Sequence, residues 1–289
     1  MNNLLVVASL TLKELARRRL FVVLVAVTLV TIGLSDWGLH ALYNLSVGRH
    51  PSVTPGEMGF VGSQELVLFL FMFGAVVALT AVAAGAPALA GEVEAGTLPA
   101  FLARPLRRWQ LVVGKWLGLA LVLVVYVGLT SALELWVVLS VVAYRAPEPV
   151  YALFCLVAEA IAVMSLALLL GSRLSAMAAG VVTAAAYFVS WGAGVTGGVG
   201  EVLDNRHLER AAAVMHLLVP TDGLWRGAVY FLEPSGAIAT ALVTAAGHGL
   251  AADPFFVTTR QSAAFFVWAA VWTAAIVALT VWSFAGREV

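Results

Sequence analysis

Residues 91–108 read GEVEAGTLPAFLARPLRR, and this polar stretch lies between two long apolar segments of the chain. Residues 66–90 carry no charge, and residues 109–133 carry only Lys115. Within the stretch the acids come first and the bases follow, in the order Glu92, Glu94, Arg104, Arg107 and Arg108. A chain reversal between two helices needs only a few residues. The length and the charge order of residues 91–108 therefore predict a segment that contacts a partner.

The charges of this stretch have more than one interpretation. Residues 97–103 alternate small and apolar side chains, which is consistent with a short helix lying flat at a membrane surface. The acids would lie near the N-terminus of that helix and the bases near its C-terminus, as the helix dipole favours. The three arginines are equally consistent with topology determinants at anionic headgroups. Acids such as Glu92 and Glu94 contribute little to the orientation of a membrane protein, so a contact with a partner is the favoured interpretation for these two residues.

The composition of the 289 residues is that of an integral membrane protein. Hydrophobic residues make up 62% and charged residues 11%, and the mean hydropathy is +0.99. Soluble domains have roughly 45–50% apolar and about 25% charged residues. Sixteen bases balance sixteen acids, so net charge gives no sign of a nucleic-acid partner. The single cysteine, Cys155, excludes an intrachain disulfide.

Six apolar segments are long enough to span a bilayer as helices of about 20 residues. They are residues 20–34 with an extension through Leu39, and residues 66–90, 109–142, 150–170, 174–195 and 261–285. Residues 40–65 are rich in turn-forming residues and are predicted to form a loop. A signal peptide is the alternative for the first segment, but no convincing Ala-x-Ala site follows it. No domain boundary is visible, so residues 1–289 are predicted to form a single transmembrane domain.

Two further segments complete the predicted architecture. Residues 1–19 are predicted to form an amphipathic helix in the membrane interface, with the charged residues Lys13, Glu14, Arg17, Arg18 and Arg19. Residues 196–260 contain apolar runs at 211–219 and 236–246 that are too short to span and too apolar for a free loop. We expect short helices there, which dip into the outer membrane edge or cap the domain.

The distribution of bases predicts that both termini face the cytoplasm. With six spans and an inner N-terminus, ten bases lie on the inner side and six on the outer side. Four of the outer bases lie in the long 196–260 segment, where the positive-inside rule is weak. Residues 91–108 are then a cytoplasmic segment.

The 92–115 region resembles the cytoplasmic coupling region of ABC-2 type transporter permeases. The resemblance rests on Glu-x-Glu-x-Gly-Thr-Leu at 92–98, on Arg104-Pro105, and on Gly114-Lys115 at the start of the next apolar helix. Two weaker motifs agree with this resemblance. Lys13-Glu14-Leu15 with the following arginines looks like the entry helix of that family, and LLVPTD at 217–222 looks like its Leu-x-Pro-Thr-Asp segment. The match covers nearly the whole chain and looks closest to the permease of the nitrous-oxide reductase maturation transporter group.

The resemblance implies an all-α, ABC-2 type (type V exporter-like) domain with six spanning helices in a prokaryotic cytoplasmic (inner) membrane. Two copies of the chain would form a homodimeric pore, and two separate ATPase subunits would dock beneath it. ATP and Mg would be held by the ATPase, and we expect no cofactor on this chain. The residues expected to contact the ATPase are Glu92, Glu94, Gly96, Thr97, Leu98, Phe101, Leu102, Arg104 and Pro105.

The sequence holds no motif typical of an enzyme. Gly-x-x-x-x-Gly-Lys-Ser/Thr is absent, so the chain is not expected to bind ATP phosphates itself. His-Glu-x-x-His and Gly-x-Ser-x-Gly are absent as well. Met164 and Met177 are more typical of packing than of copper ligands, and the histidines lack helical ligand spacing. We therefore expect no metal site and a non-catalytic subunit.

Glu134 and Glu159 are the ionisable residues deepest in the predicted spans. Such residues face a protein interior or a cavity, because a charge at depth is costly. One interpretation is a polar substrate path. The other, which we favour, is a carboxyl hydrogen-bonded to Ser131, Tyr126 or a neighbour near the outer edge.

The sequence therefore predicts a permease subunit that couples ATP hydrolysis by a partner chain to export, or to outward presentation, of a cargo. The alternative is an ATPase-driven membrane scaffold or assembly factor that acts on an extracytoplasmic partner without a transport path. An intramembrane hydrolase or transferase is a third hypothesis, and it would need Glu134, Glu159 and a histidine to converge.

Overall fold

The structure, a computed structural model, describes residues 3–16, 19–49, 55–94, 107–233, 257 and 260–286. This part of the chain forms nine helices and contains no strand. In chain order the helices are α1 (Asn3–Ala16), α2 (Arg19–Arg49), α3 (Pro55–Glu94), α4 (Arg108–Val142), α5 (Pro149–Gly171), α6 (Ala176–Val202), α7 (Arg206–Leu218), α8 (Thr221–Leu232) and α9 (Ala263–Ala285). The all-α prediction is confirmed.

Six of these helices are long and apolar enough to cross a membrane: α2, α3, α4, α5, α6 and α9. Long apolar segments become helices in lipid because a helix satisfies every backbone polar group internally. The predicted number of spans is therefore confirmed. With 40 residues, α3 is about 60 Å long, roughly twice the thickness of the hydrocarbon core.

The prediction of a loop over residues 40–65 was wrong. Helix α2 continues to Arg49, and α3 already begins at Pro55. Proline is well suited to the first turn of a helix, where its missing N–H would have no partner anyway. Packing adds to this, since a Cβ at Gly62 would lie only 2.7 Å from the Cβ of Tyr144. Contact with the α4–α5 turn thus outweighs the weak local helix preference of this glycine-containing stretch.

Helices α3 and α5 pack closely along small residues and form the centre of the bundle. A Cβ at Gly85 would lie 2.8 Å from the carbonyl oxygen of Met164, and Ala160 and Ala167 of α5 are fully buried. Small residues let two helix backbones approach closely, which is the main source of helix association in lipid. The small residues of these helices, the glycines of α3 and the alanines of both, therefore favour their place at the core.

Helix α1 lies along the first half of α4. A Cβ at Gly118 would lie 2.8 Å from the carbonyl oxygen of Ala8 and 3.0 Å from the Cβ of Thr11. Thr11 is buried and donates its hydroxyl to the carbonyl oxygen of Val7. The helix predicted at residues 1–19 therefore exists, ends at Ala16, and is docked on the bundle through a glycine of α4.

The segment from residue 196 to 260 contains more buried helix than its composition suggests. Helix α6 continues to Val202, and the apolar run at 211–219 belongs to α7. The run at 236–246 lies outside the described residues. Helix α8 was not predicted, yet it is buried along nearly its whole length against α5, α3 and α6.

Helix α8 runs antiparallel to α5 and packs along about half the length of α5. Phe231 stacks on Tyr151, with ring centroids 5.3 Å apart, and a Cβ at Gly227 would lie 3.2 Å from Sγ of Cys155. Further along, Leu224 and Ala158 line the same cavity. The N-terminus of α8 therefore lies deep in the bundle, near the middle of α5.

The helix termini meet at two ends of the bundle. The elbow end combines the C-termini of α3, α5 and α9 with the N-termini of α4 and α6. The cap end combines the α4–α5 turn, the C-terminus of α8 and the N-terminus of α9. At the cap end, the Tyr144 hydroxyl donates to the carbonyl oxygen of Leu232 over 2.7 Å, and Arg260 lies 5.4 Å from the ring centre of Phe231. Burial and the neighbouring Glu233 carboxylate raise the pKa of the Tyr144 phenol.

Candidate functional site

A buried ion pair joins α3 to α4 at the elbow end. Nζ of Lys115 lies 2.6 Å from Oε1 of Glu92 and 2.6 Å from the carbonyl oxygen of Ala88. Lys115 is only 3% exposed, and the side chain of Glu92 is 14% exposed. A buried lysine needs such partners because the loss of water around its charge is costly. The pair therefore fixes the two helices that flank residues 95–106 at one relative position.

Glu94 makes a second connection from the end of α3. Its Oε1 accepts the backbone N–H of Ala176, the first residue of α6, over 2.9 Å. The first N–H groups of a helix have no intrahelical partner, and the helix dipole favours a negative charge beside them. Glu94 itself is exposed. The two acids two residues apart thus point to different elements, Glu92 to α4 and Glu94 to α6.

Two arginines connect α9 to the same end of the bundle. Nη1 of Arg108, at the start of α4, donates to the carbonyl oxygen of Ala285 over 2.9 Å. Nε of Arg173, in the α5–α6 turn, donates to Oγ of Ser283 over 2.8 Å. The hydroxyl oxygens of Ser172 and Ser283 also lie 2.8 Å apart. The elbow end is therefore a network that ties together α3, α4, α6, α9 and the α5–α6 turn.

Most of the remaining residues predicted to contact the ATPase fall outside the described part of the chain. These are Gly96, Thr97, Leu98, Phe101, Leu102, Arg104 and Pro105. In the predicted interfacial segment, Lys13 and Glu14 belong to α1, Arg19 begins α2, and Arg17 and Arg18 lie outside the described residues. The predicted ATPase contact of Glu92 and Glu94 stays a prediction, now with an internal partner for each carboxylate.

Glu134 belongs to a polar cluster with Ser35 and Glu65, which we call the Ser35 cluster. Oγ of Ser35 on α2 lies 2.5 Å from Oε1 of Glu65 on α3 and 2.7 Å from Oε1 of Glu134 on α4. Glu134 is 1% exposed, whereas Glu65 is partly exposed. The partner of Glu134 is thus Ser35, and not the Ser131 or Tyr126 considered from the sequence. Tyr126 instead bonds to the Thr28 hydroxyl.

Glu134 lines a small cavity at the cap end. The cavity has a volume of about 20 Å³, and Ser131 and Glu134 are its polar lining residues. Neither Oγ of Ser131 nor Oε2 of Glu134 has a hydrogen-bond partner. The rest of the lining comes from apolar residues, which include Leu66, Phe69, Leu156 and Leu232.

Glu159 lies in the middle of α5 and is 2% exposed. Neither carboxylate oxygen has a hydrogen-bond partner of normal geometry, although the Tyr187 phenol lies close enough to interact with it. The Asp222 carboxylate acts on it electrostatically. Among the described residues, Glu134 interacts with Ser35, Glu65 and Asp36, whereas Glu159 interacts with Tyr187 and Asp222. The two carboxyls considered for a polar substrate path therefore belong to separate polar sites.

Asp222 is the centre of a polar cluster at the N-terminus of α8. Its Oδ2 lies 2.7 Å from Nε2 of His216 and accepts Nε–H of Arg226 over 3.0 Å. Nη2 of Arg226 also donates to the carbonyl oxygen of Gly194 on α6 over 2.6 Å. Neither His216 nor Arg226 had a predicted role. The four-residue spacing of Asp222 and Arg226 on one helix is a signal that could have found that pair.

Two larger cavities are lined almost entirely by apolar side chains. One, of about 480 Å³, lies between α4, α5, α8 and α9 and includes Trp116, Leu224 and Phe266. The other, of about 680 Å³, lies between α1, α2 and α4 and includes Leu12, Leu29 and Tyr126. Neither is lined by Glu134 or Glu159. In the described residues, no group of three metal-binding side chains comes together.

Six membrane-spanning helices, an amphipathic entry helix docked on α4 and a network of charged side chains at the elbow end define a polytopic permease-type membrane domain. The family model described as ABC-2 family transporter protein matches residues 5–289, and the chain belongs to that family. Comparison with curated proteins gave no match. Membership makes the chain a multi-pass membrane subunit of an ABC transporter, and it implies two partners, an ABC ATPase and the lipid bilayer. The resemblance to the nitrous-oxide reductase group stays a prediction.

Proposed function

We propose that this permease subunit receives mechanical work from a separate ATPase at residues 91–108, which we call the elbow, and uses it to export a cargo or to present it on the outer side. The observation that carries the proposal is the buried Lys115–Glu92 pair at 2.6 Å. A displacement of the elbow cannot be absorbed locally, because a rigid pair holds α3 to α4 on either side of it. Rigid-body movement of packed helices is a common way to transmit such a displacement.

The neighbouring contacts extend this connection to other spans. Glu94 holds the start of α6, and Arg108 holds the end of α9. A push on the elbow would therefore tilt four spanning helices together. Such a tilt would open one side of the membrane domain and close the other, as alternating access requires.

We further propose a homodimer in the cytoplasmic membrane with both termini inside, and ATP and Mg bound by the ATPase alone. The charge asymmetry of the sequence supports this orientation, because the elbow end carries Arg107, Arg108, Lys115 and Arg173. Helices α2 and α9 bury little of their apolar surface within one chain. That surface is available to lipid and to a second copy.

The test is stimulation of the partner ATPase by reconstituted permease. Arg104→Glu reverses a charge within the elbow, and we expect it to reduce stimulation at least tenfold. The matched control is Arg210→Glu, an exposed arginine of α7 that has no part in the elbow network. Equal stimulation by both variants, with equal amounts in the membrane, would remove the elbow from the coupling mechanism.

A scaffold that acts on an extracytoplasmic partner is the second candidate function. The observation that favours it is the 13-residue helix α7, which packs against α6 and buries only Ala212. Proteoliposomes that hydrolyse ATP with an intact elbow but move no candidate cargo, while an accessory protein binds α7, would favour the scaffold.

A further inference from the structure

The Ser35 cluster is a polar site that the coupling at the elbow end does not use. It joins three different spanning helices through one hydroxyl, since Ser35 lies on α2, Glu65 on α3 and Glu134 on α4. It lies towards the opposite end of these helices from the Lys115–Glu92 pair. Its geometry constrains how many protons it contains.

A serine hydroxyl has one hydrogen, and an ionised carboxylate can only accept hydrogen bonds. Oγ of Ser35 is nevertheless within 2.5 Å of a Glu65 oxygen and within 2.7 Å of a Glu134 oxygen. The Ser35 hydrogen can satisfy one of these two short contacts. The other contact needs a hydrogen supplied by the carboxyl group, so one of the two glutamates is protonated.

The charges around the Ser35 cluster also favour a state in which one of the two glutamates is protonated. Within the described part of the chain, no basic side chain forms an ion pair with Glu65 or Glu134. Asp36 adds a further negative charge near Glu134. Two ionised carboxylates this close together in an apolar environment would repel each other strongly, with no cation to offset the repulsion.

We propose that the Ser35 cluster is a proton-binding site. Glu134 carries the proton, because it is 1% exposed and a buried charge costs more than the partly exposed charge of Glu65. Its carboxyl O–H donates to Oγ of Ser35, and the Ser35 O–H donates to the ionised Glu65. Transfer along this chain moves a proton from Glu134 to Ser35 and one from Ser35 to Glu65, and leaves the net charge unchanged.

The small cavity beside Glu134 has room for one ordered water. A water needs about 10–15 Å³ and at least two polar partners. The cavity offers about 20 Å³, with Oε2 of Glu134 and Oγ of Ser131 as free polar atoms. A metal ion is a poor fit, because these two oxygens are far fewer than the six or more that a hard cation requires.

Exchange with solvent would pass through the exposed side of α2. Asp36 and His40 form a pair 3.2 Å apart, and both side chains are about half exposed. Among the described side chains of α2 and α3, Asp36 and Glu65 are the titratable groups that act on Glu134, and His40 reaches the site only through Asp36. The cavity-lining residues of α5 and α8, which are Pro149, Ala152, Leu153, Leu156 and Leu232, carry no titratable group.

The bound proton would hold three spanning helices together. With the proton present, α2, α3 and α4 share a continuous chain of hydrogen bonds. Without it, two carboxylates face each other across the same contact. The protein should therefore be more stable while the proton is bound, and lose that stability as rising pH removes it.

Infrared spectroscopy of the purified full chain tests the proposal, because a protonated carboxyl has its own carbonyl band. We expect Glu134→Gln to lose one such band near neutral pH. Ser35→Ala should keep the band but move it to higher frequency, since a hydrogen-bond acceptor is removed. The matched control is Asp204→Asn, which removes an exposed carboxylate at a positive φ of 49° that asparagine tolerates, and it should change no such band.

Thermal stability provides a second measurement. The wild-type Tm should fall as pH rises above neutral, Glu134→Gln should fall less, and Asp204→Asn should behave like wild type. A wild-type spectrum with the same protonated-carboxyl bands as Glu134→Gln would overturn the proposal. So would a Ser35→Ala band at the wild-type frequency, or a rise in Tm with added sodium that Glu134→Gln abolishes, which would indicate a cation site.

Discussion

Lys115 shows why one charged residue can be retained inside an apolar helix. It is the only charge among residues 109–133, and burial alone would make it costly. The structure gives it Oε1 of Glu92 and the carbonyl oxygen of Ala88, both at 2.6 Å. Its charge therefore holds the end of α3, and its role is to fix the position of α3 relative to α4.

Removal of Glu92 should destabilise the protein far more than removal of Glu94. We expect Glu92→Ala to cost about 3–5 kcal/mol, because it leaves the buried Lys115 without its counter-charge. Glu94→Ala removes only an exposed acceptor at the start of α6 and should cost about 1 kcal/mol. Thermal unfolding of the two variants in the same detergent measures this difference. Equal Tm values would contradict the structural role given to Lys115.

The sequence identified most of the charged residues in these sites but not their partners. Glu92, Glu94, Lys115 and Glu134 stand out because a charge beside or inside an apolar segment is rare. Ser35 does not stand out, since a serine in an apolar helix is ordinary. Its role depends on α2, α3 and α4 meeting at one point, and no local pattern carries that information.

At the scale of the helix, close approach depends on where the glycines lie. Gly118 faces α1, where the Ala8 carbonyl leaves no room for a side chain. Gly128, ten residues further along the same helix, has nothing within 4 Å of an added Cβ. The two positions have the same local preference for helix and differ only in what packs against them.

Gly118→Ala should therefore weaken the docking of α1, by about 1–3 kcal/mol. The consequence can be measured as faster tryptic cleavage after Arg17, Arg18 or Arg19, which link α1 to α2. Gly128→Ala is the control and should leave the cleavage rate unchanged or slower. If both variants were cleaved at the same rate, α1 would not be held through Gly118.

Sequence patterns found the long helices but missed α8 and misjudged the start of α3. Runs of apolar residues of about 20 are a strong signal, and all six were predicted. Helix α8 reads TDGLWRGAVYFL, with two charges and two glycines, and is too short for such a signal. Its burial depends on a groove between α5, α3 and α6. The start of α3 likewise depends on Gly62 packing against Tyr144, a contact that is distant in sequence.

At the scale of the whole molecule, the orientation in the membrane can be tested with introduced cysteines. Cys155 is buried and provides a low background. Ala100→Cys, in the elbow, should react with an impermeant thiol reagent only after the cytoplasmic side is made accessible. Asp204→Cys, in the exposed α6–α7 turn, should react in intact cells. The reverse pattern would place the elbow outside and would be incompatible with an ATPase partner there.

The burial of α8 also bears on how the protein is made. With 12 residues and two charges, this helix cannot enter lipid by itself. Its groove consists of helices that precede it in the chain, α3, α5 and α6, and all three are synthesised before it. Biogenesis of the membrane domain therefore has a late step, in which a short helix folds inward onto neighbours that are already inserted.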